Sequence, residues 1–119
     1  SFTKSSGIQV RFSSNIENES VHPNQSLALY RIIQEALANI KQHARASHVT
    51  VSLIRLDGML DLSIEDDGIG FSSSAVDSGN HYGLLEIRER IYAMNGTFNL
   101  IAAPGQGTKL QIQIPLEKR

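Results

Sequence analysis

Three stretches of the chain alternate apolar and polar residues with a period of two. Ile8, Val10 and Phe12 alternate with Gln9 and Arg11, and Val49, Val51 and Leu53 alternate with Thr50 and Ser52. Leu60, Leu62 and Ile64 do the same with Asp61, Ser63 and Glu65. Successive side chains of a strand point to opposite faces, so each stretch predicts a half-buried strand. Asp57-Gly58 lies between the second and third and predicts a two-residue hairpin turn. Phe98, Leu100 and Ala102 predict a fourth strand. Thr108, Leu110, Ile112 and Ile114 predict a fifth, with Pro104-Gly105-Gln106-Gly107 as the turn between them.

Two segments follow the helical period instead. Between Pro23 and Ala44, the residues Leu29, Ile33, Leu37, Ile40 and Ala44 recur every three or four positions. That spacing predicts one face of a helix about five turns long. Leu84, Ile87, Ile91 and Met94 predict a second helix, stopped by Asn95-Gly96. Residues 13–24 read as a polar loop, and the run DDGIGFSSSAVDSGNHYG at 66–83 reads as a mobile one. Five strands and two amphipathic helices predict an α/β (α+β) fold: a two-layer sandwich with a mixed, mostly antiparallel sheet. Both helices would pack on one sheet face and leave the other to water.

Length and composition narrow the picture without changing it. The 119 residues suit a single domain, 1–119, with one core. Eleven basic and twelve acidic side chains leave a formal charge of −1, which gives no footprint for nucleic acid or an anionic membrane. Without cysteine, disulfides, thiol redox chemistry and cysteine-bound zinc are excluded. The apolar runs are far too short to span a membrane. No signal peptide is visible and Ser1 stands where an initiator Met would. The chain therefore reads as a domain excised from a longer protein.

Candidate chemistry shows where polar residues fall on apolar positions. Period two carries Asp66 to the same inner face as Leu60, Leu62 and Ile64. A carboxylate there is costly unless it is hydrogen-bonded, so it either caps the following turn or meets a ligand. Thr108 faces inward beside Leu110, although Thr is ordinary in strands. On the first helix, Glu35, Asn39, Gln42 and His43 form a polar stripe. Glu35 and Asn39 are four apart; they could hold a hard cation, orient a water, or simply form a solvated helix edge. Gly68, Gly70 and Gly83 permit close backbone approach to a ligand or a flexible loop. The usual phosphate-loop, dinucleotide, EF-hand and His-Glu-x-x-His patterns are absent.

Taken in order, QEALANIKQHA, DDGIGF, HYGLLEIRER and GQGTKL resemble the ATP-binding catalytic domain of sensor histidine kinases. The likeness is greatest to the branch of nitrate/nitrite and membrane-fluidity sensors. It lies in the GHKL superfamily, with gyrase, heat-shock chaperones and mismatch-repair ATPases, and spans roughly 27–115. The resemblance implies that Asn39 ligates a Mg²⁺ ion bridging the ATP phosphates, with Glu35 beside it as a polarising or water-orienting group, or a second metal ligand, and His43 near the sugar or phosphates. It implies that Asp66 accepts a hydrogen bond from the adenine amine, that Gly68, Ile69 and Gly70 form the first glycine box, and that Thr108 reaches the same adenine edge. Residues 71–82 would be a lid over the triphosphate, and Gly83 and Leu84 a second glycine box. Gln42 departs from relatives that carry a basic residue there. Arg88 and Arg90 match the branch's R-E-R helix and read as surface or interdomain pairing residues.

The function so implied is donation of the ATP γ-phosphate to a histidine on a separate dimerisation domain upstream, with a response regulator as the downstream partner. None of His22, His43, His48 and His81 precedes an acidic residue, so the acceptor is expected outside this chain. The implied setting is a cytoplasmic domain of a membrane-bound bacterial sensor, with no direct membrane contact of its own. The alternatives are a GHKL-type ATP hydrolase, in which Glu35 activates water, and an anti-sigma-type serine kinase or ATP-responsive regulator.

Overall fold

The structure is a computed structural model; it describes residues 7–16, 21–41, 46–68, 84–102 and 105–116. Within these, five strands and two helices follow one another as β1 (Gln9–Ser14), α1 (Pro23–Asn39), β2 (His48–Leu56), β3 (Met59–Asp66), α2 (Leu84–Ala93), β4 (Thr97–Ala102) and β5 (Thr108–Pro115). The strands form one sheet in the order β1-β2-β3-β5-β4. Only the β1–β2 pair is parallel; the other three pairs are antiparallel. The two-layer α/β architecture expected from the periodicities is the architecture observed. No helix among the described residues is long and apolar enough to cross a membrane.

The turns follow their local chemistry. Asp57 and Gly58 have φ of 50° and 78°, and Leu56 pairs with Met59 across them. Two left-handed residues give the turn a twist that matches its strands. At the end of α2, Asn95 takes φ of 60°, its N–H donating to the Tyr92 carbonyl while that of Gly96 donates to Ile91 at 2.9 Å. These two hydrogen bonds satisfy carbonyls that the helix end leaves open. α1 begins on Pro23, whose missing N–H costs nothing there, while His22 Nδ1 accepts from the Asn24 N–H at 3.1 Å.

One core joins the sheet's inner face to both helices. Val49, Val51, Leu60, Leu62, Ile64, Leu110, Ile112 and Ile114 supply the sheet side, and Ile87 and Ile91 come from α2. Two details differ from the pattern. The core stripe of α1 is Leu29, Ile32, Ala36 and Ile40, with Gln25 buried among them; Ile33 and Leu37 lie on its flank. The spacing 25, 29, 32, 36, 40 fits the helical period as well as the expected set, and packing selects between them. The helix proper also ends at Asn39, followed by a π-type turn at 40–41, whereas Ala44 lies outside the described residues. Phe12 shares a face with Val51 but is 58% exposed, because β1 is the edge strand. Gln25 offsets its burial by donating from Nε2 to the Pro115 carbonyl at 2.8 Å, tying the start of α1 to the end of β5.

Gly96 packs between α2 and β5. A Cβ there would come within 2.5 Å of Ile114 Cγ2, 2.7 Å of the Gln113 carbonyl and 2.8 Å of Ile91 Cγ2. Gly96→Ala is expected to destabilise the fold by about 1–3 kcal/mol, the usual cost of overpacking. Urea unfolding checks this; an unchanged midpoint would show that the helix and strand part without cost.

Candidate functional site

The site grows from the last residue of β3. Asp66 sits on the inner face, in register with Thr108 of β5 and Val49 of β2, and is 6% exposed. Its Oδ1 accepts the Gly68 N–H at 2.8 Å. Burial pushes its pKa above the ordinary carboxylate value, opposed by the backbone amides of Gly68 and Thr108 and assisted by the charges of Asp67 and Glu65. The capping reading therefore holds, and the carboxylate still lies at the edge of the core.

The neighbouring strand end is shaped to fit. Thr108 Oγ1 is buried and has no hydrogen-bond partner among the described residues. A buried hydroxyl left unpaired is expensive, so this atom marks a position where a ligand or water completes the structure. Gly107 is buried with φ of 75°, and a Cβ on it would collide with the Asp66 carbonyl. Only glycine lets β5 start so close to Asp66. Asp66, Gly107 and Thr108 line a hollow of about 240 Å³ with Gln106, and Glu65, Ile101 and Lys109 carry it toward the uncovered sheet face.

Asp67 faces the other way and does a different job. Its Oδ1 accepts the N–H groups of Ser47 and His48 at 2.7 and 2.9 Å, and its Oδ2 lies 3.0 Å from His48 Nδ1. The Asp67 N–H returns a bond to the His48 carbonyl at 3.2 Å. The two backbone donors, with His48 added, lower its pKa to about 2. The paired aspartates thus split into a site carboxylate and a clasp on the entry to β2.

The last two turns of α1 present Glu35 and Asn39, both half-buried. They line a second hollow of about 430 Å³ with Arg31, Gln34 and Ala38 of the same helix and Arg90 of α2. No cluster of three or more His, Asp or Glu side chains suited to a metal occurs among the described residues. An amide oxygen beside one carboxylate fits a hard cation that takes its remaining ligands from phosphates and water. The structure brings Asp66, Gly68 and Thr108 together, and separately Glu35 and Asn39. His43, Ile69, Gly70, Gly83 and the expected lid at 71–82 lie outside the described residues, and Leu84 opens α2. Sequence reasoning passed over Gly107, whose signal was its place in GQGTKL, and the clasp made by the second aspartate of DDGIGF.

Comparison with known proteins gives a consistent result. Residues 24–118 match the histidine kinase-, DNA gyrase B-, and HSP90-like ATPase family. Sensor protein VraS of Staphylococcus aureus is 39% identical over 92 residues, covering 76% of this chain and 26% of VraS. Sensor histidine kinase LiaS of Bacillus subtilis is 32% identical over 115 residues, covering 97% of this chain and 31% of LiaS. The chain thus spans less than a third of these relatives. The histidine kinase domain of the Erythrobacter litoralis blue-light activated histidine kinase superposes with a TM-score of 0.80 at 26% identity, over 97% of this chain and 56% of that one. The Acinetobacter baumannii histidine kinase AdeS shares the fold, with a TM-score of 0.79 at 16% identity, over 98% of this chain and 58% of that one.

The two aspartates should respond oppositely to pH and to neutralisation. Asp67, with its pKa lowered, adds stability above its unfolded value that is lost as pH falls toward 2; Asp67→Asn is expected to flatten that acid limb. Asp66, with its pKa raised, disfavours the fold as pH rises through its folded pKa. Asp66→Asn should therefore raise the melting temperature of the ligand-free chain at neutral pH. Thermal unfolding across pH checks both; a destabilised Asp66→Asn variant would contradict the assigned cost of that carboxylate.

Proposed function

The chain belongs to the histidine kinase-, DNA gyrase B-, and HSP90-like ATPase family, and from that premise we propose that it binds Mg·ATP and donates the γ-phosphate to a histidine of a separate dimerisation domain. The observation that carries this reading is the buried Asp66 carboxylate beside a Thr108 hydroxyl that has no partner among the described residues, next to a glycine whose Cβ would collide with the Asp66 carbonyl. A purine with an exocyclic amine supplies the donor that the carboxylate needs and an acceptor edge for the hydroxyl. The base would then enter from the end of β3 and β5, with its phosphates directed toward Asn39.

Asn39 would hold the magnesium ion through its side-chain oxygen, with Glu35 next to it. The ion's contribution is neutralisation of phosphate charge. Phosphoryl transfer depends mainly on positioning and charge, and this chain's part is to fix the nucleotide and exclude water from the base. The sensor-kinase relatives favour donation to histidine over hydrolysis or a regulatory role without transfer. We assign the acceptor histidine, the response regulator and any membrane-bound sensor to parts of the system outside this domain. The domain itself would work in the cytoplasm, without direct membrane contact or nucleic acid.

Asp66→Asn is expected to weaken ATP by about 1.5–3 kcal/mol, the contribution of a hydrogen bond to a charged group, or roughly tenfold to a hundredfold. Asn39→Ala should instead abolish the magnesium dependence of binding. Both are read from the rise in melting temperature on titrating ATP with and without Mg²⁺, which for a saturating ligand at a hundredfold excess corresponds to about 2.7 kcal/mol. Parent-like binding by both variants would remove the proposed site.

A further inference from the structure

The hollow beside Asn39 contains charge that the reading above does not use. Arg31 and Arg90 both line it, facing one carboxylate, Glu35. Neither guanidinium forms an ion pair among the described residues. The wall therefore carries one more positive charge than negative, in a recess whose other members are Gln34, Ala38 and Asn39. Such a recess suits an anion. Guanidinium in particular matches two phosphate oxygens at once, which a point charge cannot.

The two arginines are not equivalent. Arg31 precedes Asn39 by eight residues on the same helix, or about 12 Å along the axis, so it marks the far end of the recess. Arg90 comes from α2 and forms the opposing wall. A phosphate lying against Asn39 would present its free oxygens across that gap. The neutral amide of Asn39 cannot offset their charge, and position 42 in the sequence is Gln rather than a basic residue.

We propose that Arg90 reads the terminal phosphate of bound ATP, its guanidinium reaching across from α2 to the γ-phosphate oxygens held between Glu35 and Asn39. This rests on the assignment of Asn39 to the phosphates. It gives the exposed Arg90 a role in place of the expected interdomain pairing. Arg90 thereby gives the domain a way to distinguish ATP from ADP, since only the triphosphate extends to that wall.

Calorimetric titration of Mg·ATP and Mg·ADP into the parent chain, Arg90→Ala, Arg90→Lys and Asp66→Asn tests the proposal. Arg90→Ala should weaken ATP about tenfold and ADP less than about twofold, the low end for a charge-assisted hydrogen bond lost from one phosphate. Arg90→Lys should recover part of the ATP affinity, and Asp66→Asn should weaken both nucleotides alike. An ATP-to-ADP ratio unchanged in Arg90→Ala, with Asp66→Asn behaving as stated, overturns the role of Arg90 alone and returns it to interdomain pairing. A parent chain that binds neither nucleotide overturns the nucleotide reading together with it.

Discussion

A carboxylate held at the edge of an apolar core is the constraint around which this molecule is organised. Asp66 is the final inward position of a strand whose other inward residues are Leu60, Leu62 and Ile64. The low dielectric that those residues create raises its pKa, and two backbone amides recover only part of the cost. Keeping it there requires Gly68 to supply an N–H and Gly107 to let the next strand begin without a side chain. A fold selected for stability alone would place an apolar residue at 66. The persistence of this arrangement, with an unsatisfied hydroxyl next to it, makes sense when a polar ligand completes it.

The adjacent residue shows how one step along a strand changes the physics. Asp67 is exposed, accepts two backbone N–H groups and meets His48, so its charge is favoured. Because successive side chains alternate faces, two identical residues acquire opposite pKa shifts and opposite roles. The clasp also fixes the entry to β2, which connects back to the end of α1 and hence to Asn39. In the proposed reading, base and phosphate recognition fall to two separate hollows.

Much of this was legible from local pattern. The Asp57-Gly58 hairpin, the Asn95-Gly96 stop and all five strands are set by short-range chemistry, so spacing located them. Asp66 was legible for the same reason: period two leaves no freedom about its side. The face of α1 was not, because both Ile32 and Ile33 lie on plausible apolar stripes and only packing against the sheet distinguishes them. Phe12 looked internal because alternation cannot tell an edge strand from a central one. The meeting of the exposed Arg90 with Glu35 and Asn39 in one hollow was not legible, because they lie on different helices more than fifty residues apart in the chain. The crowding that demands Gly107 likewise exists only once β3 and β5 are paired.

The account turns on whether Asp66 receives a donor from a purine amine. The direct measurement is competition between ATP and inosine triphosphate, in which the C6 amine becomes a carbonyl and the adjacent ring N1 changes from acceptor to N–H donor. The account predicts that the carbonyl, set against a carboxylate, costs the inosine nucleotide at least about tenfold in affinity, and that Asp66→Asn erases most of the difference. Equal binding of the two nucleotides by the parent chain would contradict it.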